Sequence, residues 1–380
     1  MTERLYDLDS YCRRFTATVV SCLAEEGGYA VELDRTAFFP ESGGQPADTG
    51  CLDEVEVTDV SIDGQTIWHH TTAMLTVGQK VTGEIAWDRR FRHMQKHSAE
   101  HILAGLIHRH YGYENVGFHL GSQDVTLDMS GELTREQLDA IEDEANRIIA
   151  ENHPIRAIIP TQDELAEIAY RSKKEIDGPL RLVIIEDVDC CACCAPHVAS
   201  TAEIGVVKIL DYIRYKGGVR IHMLAGLDAL PDYRMRYEQT AAVACMLSVK
   251  QNDLTSAVGR LLAERDELKT SLRESNLRLA RMQALSVEPT DSAVCLFGEG
   301  WDSETMRELV NSLSARCGGV CGVFSAAEDG YRYVIGGHGD LSAVCCRLHE
   351  ALDGRGGGSS AMQQGKVPAT EQQIRAFFEE

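Results

Sequence analysis

The first 87 residues alternate apolar and polar positions imperfectly, in the manner of β-strands with one buried face. Valine and isoleucine recur through 55–62, Asp63-Gly64 has turn chemistry, and Gln65–Trp68 is predicted as the returning strand of a hairpin. A further strand is predicted over Lys80–Trp87. Together these short strands predict a small β-barrel or a strongly bent sheet over residues 1–87.

The pattern changes to helical spacing after Asp88. Between Arg89 and Tyr111 apolar residues recur three and four apart, and Gly112 is a suitable helix end. Two more helices are predicted from capping-box patterns, which begin at Thr134 with Gln137 and at Thr161 with Glu164. Three apolar runs are predicted as strands, namely Val125–Met129, Leu180–Ile185 and Gly205–Ile209. We therefore expect an α+β domain over residues 88–228.

The composition from Pro231 to Leu285 is helical throughout. One row of leucines has heptad spacing, namely Leu247, Leu254, Leu261 and Leu268, and a second row contains Val258, Leu272 and Leu279. This spacing predicts a coiled coil or long helical hairpin over 229–288, which would act as a spacer or as a homodimer interface. Pro289 breaks the helix, and a final α/β domain is expected over 289–380.

Composition restricts the classes of protein that these elements can form. A chain of 380 residues with 44% hydrophobic and 25% charged residues is expected to fold into several globular domains. Its apolar runs stay short of the roughly 18 residues that span a bilayer, so no membrane association is expected. Thirteen cysteines without an export signal indicate reduced thiols and a cytoplasmic protein.

The net charge of −22 argues against nonspecific binding to nucleic acid, because such binding depends on neutralised phosphates. Two local basic clusters run against this trend. They contain Arg89, Arg90, Arg92 and Lys96 in the first case, and Lys208, Arg214, Lys216 and Arg220 in the second. Each cluster is either a nucleic-acid-binding face or a solvated surface, and the sequence leaves both interpretations open.

Two histidines and a cysteine-rich segment together suggest a metal site. His97 and His101 lie at i and i+4 on the predicted long helix, so their side chains share one face, about 6 Å apart at Cβ. Such a pair alone is a weak signal. The segment 189–197 then adds Cys190, Cys191, Cys193, Cys194 and His197. Two histidines from a helix, with one cysteine and one histidine from a loop, would form the four-coordinate site that Zn²⁺ prefers.

Other roles for these cysteines stay open. They could be small buried hydrophobic residues. The overlapping pairs Cys190/Cys193 and Cys191/Cys194 also have the Cys-x-x-Cys spacing of thiol exchange, or of a zinc site without histidine. Residue chemistry alone does not select the ligand cysteine.

The histidine and cysteine motifs resemble those of a known family. His97-Ser-Ala-Glu-His101, with Cys193-x-x-x-His197 and a following Glu203-Ile204-Gly205, is similar to the editing domain that alanyl-tRNA synthetases share with free-standing AlaX proteins. The resemblance selects Cys193 and implies one zinc ion per chain, bound by His97, His101, Cys193 and His197. The chain has Cys-Cys-Ala-Pro-His where the synthetases usually have Cys-Gly-Gly-Thr-His, so Pro196 removes a backbone N–H near the ion but no ligand.

Two further motifs extend the resemblance to nearly the whole chain, in the family's order. Thr36–Pro46 resembles the glycine-rich motif; the implied substrate-binding residues are Thr36, which would read a serine hydroxyl, and Gly43, Gly44 and Gln45. Gly354–Ser359 with Gln364-Gly365 is similar to the DHHA1 domain. Glycines there allow close approach to a phosphate or ribose, and an arginine could add a charged contact. The predicted tRNA-binding residues are Arg355, Gly356, Gly357 and Gly358.

The resemblance also implies a function. A long-form AlaX protein would act in trans on mischarged tRNA(Ala) and hydrolyse the ester to serine or glycine, two amino acids that an alanine site excludes poorly. No segment resembles the ATP-binding motifs of an aminoacylating domain.

Four protein ligands would close the zinc shell, whereas a catalytic zinc usually keeps one position open. The general base is unassigned. Glu100 is a candidate for it, but its expected place on another helical face favours an exposed carboxylate or one next to the ligands.

Two other functions fit the same residues. A non-catalytic, zinc-stabilised tRNA-binding or regulatory protein would bind tRNA without hydrolysing the ester. A redox or zinc-handling protein based on Cys190–Cys194 would depend on its thiols and not on His97.

Overall fold

The computed structural model describes residues 2–121, 124–172 and 180–379, and helices and strands occur in both of its units, Met1–Thr240 and Ala241–Glu380. The mixed α+β class is therefore confirmed. The finer division into four domains stays a prediction. Within the described ranges, the helices are too short or too polar to cross a membrane.

The chain begins with a β-barrel region whose elements are β1 (Glu3–Arg4), α1 (Leu5–Leu8), β2 (Arg14–Glu25), β3 (Gly28–Leu33), β4 (Arg35–Thr36), β5 (Gly50–Leu52), β6 (Val55–Asp63), β7 (Thr66–Thr71) and β8 (Lys80–Ile85). Strands β2, β3, β7, β6, β5 and β8 are hydrogen-bonded in that order and close into a barrel. The hairpin at Asp63-Gly64 forms as predicted. Inward side chains such as Leu33, Val60 and Ile67 fill the interior.

A mixed region follows, with α2 (Trp87–Tyr111), β9 (Asn115–Leu120), β10 (Val125–Met129), α3 (Arg135–Glu151), β11 (Ile155–Ile158), α4 (Gln162–Glu167), β12 (Leu182–Ile185), β13 (Asp189–Ala192), β14 (Val207–Tyr215) and β15 (Gly218–Ala225). One sheet has the order β14-β15-β10-β9 and another the order β11-β12-β13. Both predicted capping boxes are present, at Thr134 and at Thr161. The strand predicted from Gly205 begins at Val207, because Gly205 has a φ of 82° and ends a short 3₁₀ helix.

Helix α2 is buried to an unusual degree for a helix with so many polar residues. Every residue from 93 to 107 is buried, and the helix contacts α3, β9, β10 and β13. It ends at Gly112 in the left-handed conformation, as predicted. A buried polar group must be hydrogen-bonded or paired, so the polar side chains of α2 require partners from the surrounding elements.

Two helices come next, α5 (Ala229–Met246) and α6 (Leu254–Ser286), and the boundary between the units falls within α5. The prediction of a helix through the first heptad row is wrong at Leu247. This residue lies in the break between α5 and α6, where Ser248 has a φ of 53°. Leu261 and Leu268 are on α6 and are exposed. A homodimer through these helices stays a prediction.

The second unit ends in a sheet with helices on both faces, formed by β16 (Val294–Gly298), α7 (Ser303–Ser314), β17 (Val320–Ala327), β18 (Gly330–Gly337), α8 (Leu341–Leu352), β19 (Arg355–Ser359), β20 (Met362–Val367) and α9 (Glu371–Glu379). The strand order is β16-β17-β18-β20-β19. Leu309 and Leu313 of α7 pack on one face and Leu348 of α8 packs on the other. The glycine-rich strand β19 therefore lies at an edge of the sheet.

Candidate metal centre

Four potential metal ligands converge in the first unit. The ligand atoms of His97, His101, Cys193 and His197 all lie within 4.8 Å of one another. Helix α2 provides the first two histidines, one turn apart, and the loop after β13 provides Cys193 and His197. The histidines are buried and Cys193 is partly exposed. The structure thus brings together the residues that the sequence predicts as ligands.

Two of the histidines are oriented from the side away from Cys193. The Nδ1 atom of His97 lies 2.9 Å from Oε1 of Gln45. The Nδ1 atom of His197 lies 3.0 Å from Oγ of Ser98, which is on α2. These contacts direct the Nε2 atom of each ring towards the sulfur.

The third histidine is oriented by a carboxylate. Nδ1 of His101 lies 3.0 Å from Oδ2 of Asp189, and Arg171 donates to both oxygens of the same carboxylate at 2.8 and 2.9 Å. A carboxylate on the distal nitrogen is the usual support of a metal-binding histidine, because it fixes the ring and makes Nε2 more basic. Nε2 is therefore the ring atom that all three histidines turn towards the cluster.

Two separations between the donors match those expected around a tetrahedral ion. Sγ of Cys193 lies 3.3 Å from Nε2 of His197 and 3.6 Å from Nε2 of His97. An ion with bonds of about 2.05 Å to nitrogen and about 2.3 Å to sulfur would hold such atoms roughly 3.5 Å apart. The donor set of nitrogen and sulfur atoms suits Zn²⁺ among the common metal ions.

Electrostatics at the cluster favour a bound cation. Burial opposes ionisation of the Cys193 thiol, but the imidazoles of His97 and His197 bring its pKa well below the usual value. Burial also opposes a charge on His101, yet the hydrogen bond with Asp189 raises the pKa of that imidazole well above the usual value. Burial lowers the pKa of His197 to about 3 and keeps it neutral, which is the form that binds metal.

The neighbouring cysteines have different surroundings. Burial raises the pKa of Cys191 to about 11, and burial raises the pKa of Cys190 and of Cys194 as well. A thiol-exchange site needs at least one cysteine with a lowered pKa and an exposed sulfur. The pair Cys191/Cys194 therefore lacks the thiol of lowered pKa that exchange needs, whereas Cys193, in the pair Cys190/Cys193, has such a thiol and faces three histidines.

Glu100 is buried, so of the two positions expected for its carboxylate the exposed one is wrong and the one next to the ligands is found. Its side chain is 2% exposed, and Nδ2 of Asn115 donates to its Oε1 atom. Its Oε2 atom lies 3.9 Å from Nε2 of His101. The side chain of Glu100 starts on a different face of the helix from those of His97 and His101. It is long enough for its carboxylate to reach His101. The carboxylate therefore lies beside the Nε2 edge of His101.

The glycine-rich motif reaches the cluster through a tight turn. Backbone hydrogen bonds of 3.1 and 3.0 Å join Ser42 and Gln45 in both directions. Gly43 and Gly44 have φ angles of 61° and 81°, a conformation that favours glycine. A Cβ atom on Gly44 would lie 2.3 Å from the carbonyl oxygen of Phe118. The turn is therefore seated directly on β9, and this position brings Gln45 to the histidines.

A buried ion pair fixes the rest of this loop to α2. Arg90 is fully buried, and its Nε atom is 3.0 Å from both carboxylate oxygens of Asp48. Its other nitrogens donate to the carbonyl oxygens of Ala37 at 2.6 Å and Ser10 at 3.1 Å. Asp48 also accepts a hydrogen bond of 2.6 Å from the N–H of Phe39. Loop 36–48 is thus held to the helix at two places.

Thr36 belongs to a buried chain of hydrogen bonds in the barrel. Its Oγ1 atom lies 2.8 Å from Nε2 of His69, whose Nδ1 atom lies 2.9 Å from the carbonyl oxygen of Val31. The N–H of Phe38 donates to the same Oγ1 atom at 3.1 Å. Burial lowers the pKa of His69 to about 4, so the ring is neutral at pH 7. Its single proton must be on Nδ1, because a carbonyl only accepts, and the Thr36 hydroxyl therefore donates to Nε2.

Comparisons with known proteins decide the family. Two family profiles match: "tRNA synthetases class II (A)" over residues 14–89, and "Threonyl and Alanyl tRNA synthetase second additional domain" over residues 180–222. Alanyl-tRNA editing protein AlaX-M of Methanosarcina mazei is 40% identical over 241 residues, which cover 57% of this chain and 93% of that protein. This chain belongs to the alanyl-tRNA editing protein family.

Two relatives match this member of the editing family over almost its whole length. Alanyl-tRNA editing protein Aarsd1 of Rattus norvegicus is 29% identical and covers 97% of this chain and 94% of its own. Alanyl-tRNA editing protein AlaX-L of Pyrococcus horikoshii is 26% identical and covers 98% and 96%, respectively. The resemblance found in the motifs is therefore confirmed.

Some residues at the site of this editing-family chain were not predicted from sequence. Asp189 directly precedes the cysteine segment, and its position next to four thiols was a usable signal for a metal-site carboxylate. His69 occupies an inward position between Ile67 and Thr71, so the alternation of β7 could have identified it as a buried histidine. Arg171 gave no local signal, since its links to the site are tertiary: the ion pair with Asp189 and backbone hydrogen bonds with Cys190 and Ala192.

Proposed function

We propose that this chain is a trans-acting hydrolase that removes serine or glycine from mischarged tRNA(Ala), with one zinc ion bound by His97, His101, Cys193 and His197. The observation that carries the proposal is the convergence of these four donors in a chain of the alanyl-tRNA editing family. The relatives are named as alanyl-tRNA editing proteins. The bond to be broken is the ester between the amino acid and the terminal ribose.

The chain's own residues would prepare the site in defined ways. Gln45, Asp189 and Ser98 hold the three imidazoles with Nε2 inward. When bound, zinc would polarise an ester carbonyl or lower the pKa of a bound water to about 7.

Gln45 offers a hydrogen-bond donor to the substrate. Its Oε1 atom is engaged by His97, while its Nε2 atom is buried and has no partner among the described residues. An unpaired buried amide costs about 1–3 kcal/mol, which a bound acceptor would recover. We assign the ester carbonyl oxygen as that acceptor, because it is the hydrogen-bond acceptor common to seryl and glycyl esters.

Thr36 would recognise a serine ester by accepting a hydrogen bond from the serine hydroxyl. Its own proton is given to His69 and one lone pair is taken by the N–H of Phe38. One lone pair remains, so the only neutral partner that Thr36 can add is a donor such as the serine O–H. His69 is a positioning residue in this scheme, because it fixes the direction of the Thr36 hydroxyl.

Thr36→Val is expected to slow deacylation of Ser-tRNA(Ala) by about 1–3 kcal/mol in transition-state terms, or roughly 5- to 150-fold. Gly-tRNA(Ala) has no hydroxyl to lose, so its rate should change far less. Thr36→Ser is the matched control, because it keeps the oxygen that His69 positions. An equal loss for serine and glycine esters would mean that Thr36 supports the barrel and does not read the substrate.

We extend the proposal to the architecture. The barrel at 1–87 and the α+β region at 88–228 would form the editing part, and 289–380 a DHHA1-like part that contacts tRNA. Leucines exposed on α6, among them Leu261, Leu268 and Leu272, support a homodimer through the helices at 229–288.

The test of the proposed function is a deacylation assay with tRNA(Ala) charged with serine, glycine or alanine. The native protein should release serine or glycine much faster than alanine, lose this activity with a chelator and recover it with added zinc. Tight binding of tRNA(Ala) without release of any amino acid would overturn the proposal in favour of a non-catalytic tRNA-binding protein.

A further inference from the structure

Three polar side chains form a hydrogen-bonded chain on the outside of the barrel. Nε2 of His70 lies 2.8 Å from Oγ of Ser61, and Nδ1 of the same ring lies 2.7 Å from Oε1 of Glu25. A serine, a histidine and a carboxylate bonded in this order are the arrangement that activates a serine nucleophile. It recurs on unrelated folds, so its geometry identifies it and its sequence position does not.

The barrel brings these residues together across four strands. Ser61 of β6 is paired with Trp68 of β7, and His70 follows two positions later, so Ser61 and His70 are diagonal neighbours on one face. Glu25 is at the end of β2, two strands away from His70. Ala30 of β3, which is paired with His70, lies between them. Its small side chain leaves room for the carboxylate and the ring to meet.

This face of the barrel is not the one that faces its interior. His69 points inward, where its ring lies 2.8 Å from Thr36, and successive side chains of a strand alternate, so His70 points outward. The side chains of His70 and Glu25 are 27% and 35% exposed, and Ser61 is partly exposed. A small ligand in solvent can therefore reach the serine hydroxyl.

The partners of the ring determine where its proton lies. An ionised carboxylate only accepts hydrogen bonds, so Glu25 places the single proton of the neutral His70 ring on Nδ1. Nε2 is then an acceptor, and the hydroxyl of Ser61 donates to it. The ring is thus in the state that can take the serine proton when the oxygen attacks. Glu25 is a positioning residue, because it contacts the ring and not the reacting atoms.

A backbone N–H group for the developing oxyanion follows the serine directly. Strand β5 is paired with Val55–Val57 of β6. Further along β6, the carbonyl of Val60 points away from β7 and accepts a hydrogen bond of 3.2 Å from the N–H of Glu41. Alternate residues of a strand direct their backbone groups to the same edge, so the N–H of Ile62 points to this edge as well. The residue after the nucleophile supplies an oxyanion donor in many serine hydrolases.

We propose that Ser61, His70 and Glu25 form a second hydrolytic site, which cleaves small uncharged carboxylic esters. Trp68 is paired with Ser61 on the same face and offers a flat apolar surface to the ester. Glu25 and Asp59, which is paired with His70, make this face acidic, so an anionic ester would be repelled. The inference is independent of the proposed editing function, because it uses no residue of the metal centre.

The reaction is a balanced hydrolysis in two steps. Oγ of Ser61 bonds to the acyl carbon while its proton passes to Nε2 of His70. The ester C–O bond then breaks, and the alcohol leaves with that proton. Water next attacks the acyl carbon and gives a proton to Nε2, and the bond to Oγ breaks as Oγ takes this proton back. The products are one alcohol and one carboxylic acid.

The experiment treats the full chain with an uncharged alkyl fluorophosphonate and locates the adduct by peptide mass spectrometry. Attack by Oγ of Ser61 forms an O–P bond and releases fluoride, so the modified peptide identifies the nucleophile. We expect the adduct on Ser61. His70→Gln should slow this labelling by at least about 100-fold, which is the usual contribution of a general base. A wild-type chain without label on Ser61 would overturn the inference.

Ser21 is the matched control serine. It lies in the same cross-strand row as Ser61, with Trp68 and Glu32 between them, and it is also partly exposed. Among the described residues, no hydrogen bond joins Ser21 to a histidine. It should therefore stay unlabelled, and Ser21→Ala should leave the labelling of Ser61 unchanged. Equal labelling of the two serines would mean that exposure and not His70 makes Ser61 reactive, and the inference would be wrong.

Glu25→Gln tests the positioning role. It keeps an acceptor of similar size for Nδ1 but removes the charge that stabilises the imidazolium. The hydrolysis of p-nitrophenyl acetate that is lost in Ser61→Ala measures the activity of the site. For Glu25→Gln its kcat should fall by at least about 10-fold, with KM and the unfolding midpoint unchanged. An unchanged kcat, or a change in KM alone, would contradict the assignment of Glu25 and with it the proposed site.

Discussion

Replacement of Cys193 by alanine is expected to remove the bound metal and to abolish deacylation. The sulfur of Cys193 lies 3.3 and 3.6 Å from Nε2 of His197 and His97, so its loss removes one of the four donor atoms of the cluster. Substitution of a partner that only orients a ligand typically costs about 10- to 100-fold in metal affinity, so loss of the ligand should exceed roughly 100-fold. Elemental analysis after dialysis and deacylation of Ser-tRNA(Ala) measure the two effects.

Cys194→Ala is the matched control for this variant. Cys194 is the next residue, but its sulfur contacts Oγ of Ser42 at 3.5 Å and is not part of the histidine group. This variant should keep its metal and its activity. Equal metal contents in Cys193→Ala and the wild type would contradict the ligand assignment, and loss of metal from both variants would point to a wider cysteine site.

Asp48→Ala is expected to lower the free energy of unfolding by about 3–5 kcal/mol, because it leaves the guanidinium of Arg90 buried without its counter-charge. Arg90 and Asp48 are both fully buried, so water cannot replace the lost carboxylate without a rearrangement of the loop. The N–H of Phe39 loses its acceptor as well. Denaturant unfolding followed by circular dichroism measures the change.

An exposed ion pair of the same barrel region provides the control. Glu3 and Arg35 are about half-exposed, with side-chain exposures of 49% and 48%, and their nearest charged atoms are 3.1 Å apart. Glu3→Ala should cost less than about 1 kcal/mol, since exposed ion pairs contribute little. If Asp48→Ala were as mild as Glu3→Ala, solvent would have to reach Arg90, and the ion pair could not be what fixes the loop.

The parts of the fold that could be predicted from sequence are those whose determinants lie close together in the chain. The capping boxes at Thr134 and Thr161 and the helix end at Gly112 depend on contacts within a few residues. Heptad spacing was less reliable, because it records the distance between leucines and not the continuity of the helix. Leu247 keeps the spacing but lies outside both helices.

The candidate site shows the same division between local and distant contacts. The pair His97 and His101 follows from helical periodicity, whereas residue chemistry did not select Cys193, and the family resemblance was needed for it. The partners that orient the rings are distant in sequence: 52 residues separate Gln45 from His97, and 88 separate His101 from Asp189. Such contacts form only in the folded chain, so no local pattern encodes them.

The spacing of residues along helix α2 sets the distance between the two points at which loop 36–48 is held. Arg90 binds Asp48 near one end of the loop, and His97, seven positions later, binds Gln45. Seven residues are almost two full turns, so the two side chains point the same way about 10 Å apart. One inserted or deleted residue between them would rotate His97 about the helix axis by about 100°, away from Gln45, while the ion pair of Arg90 with Asp48 stayed in place. This stretch of helix can therefore exchange many of its side chains, but it cannot change its length.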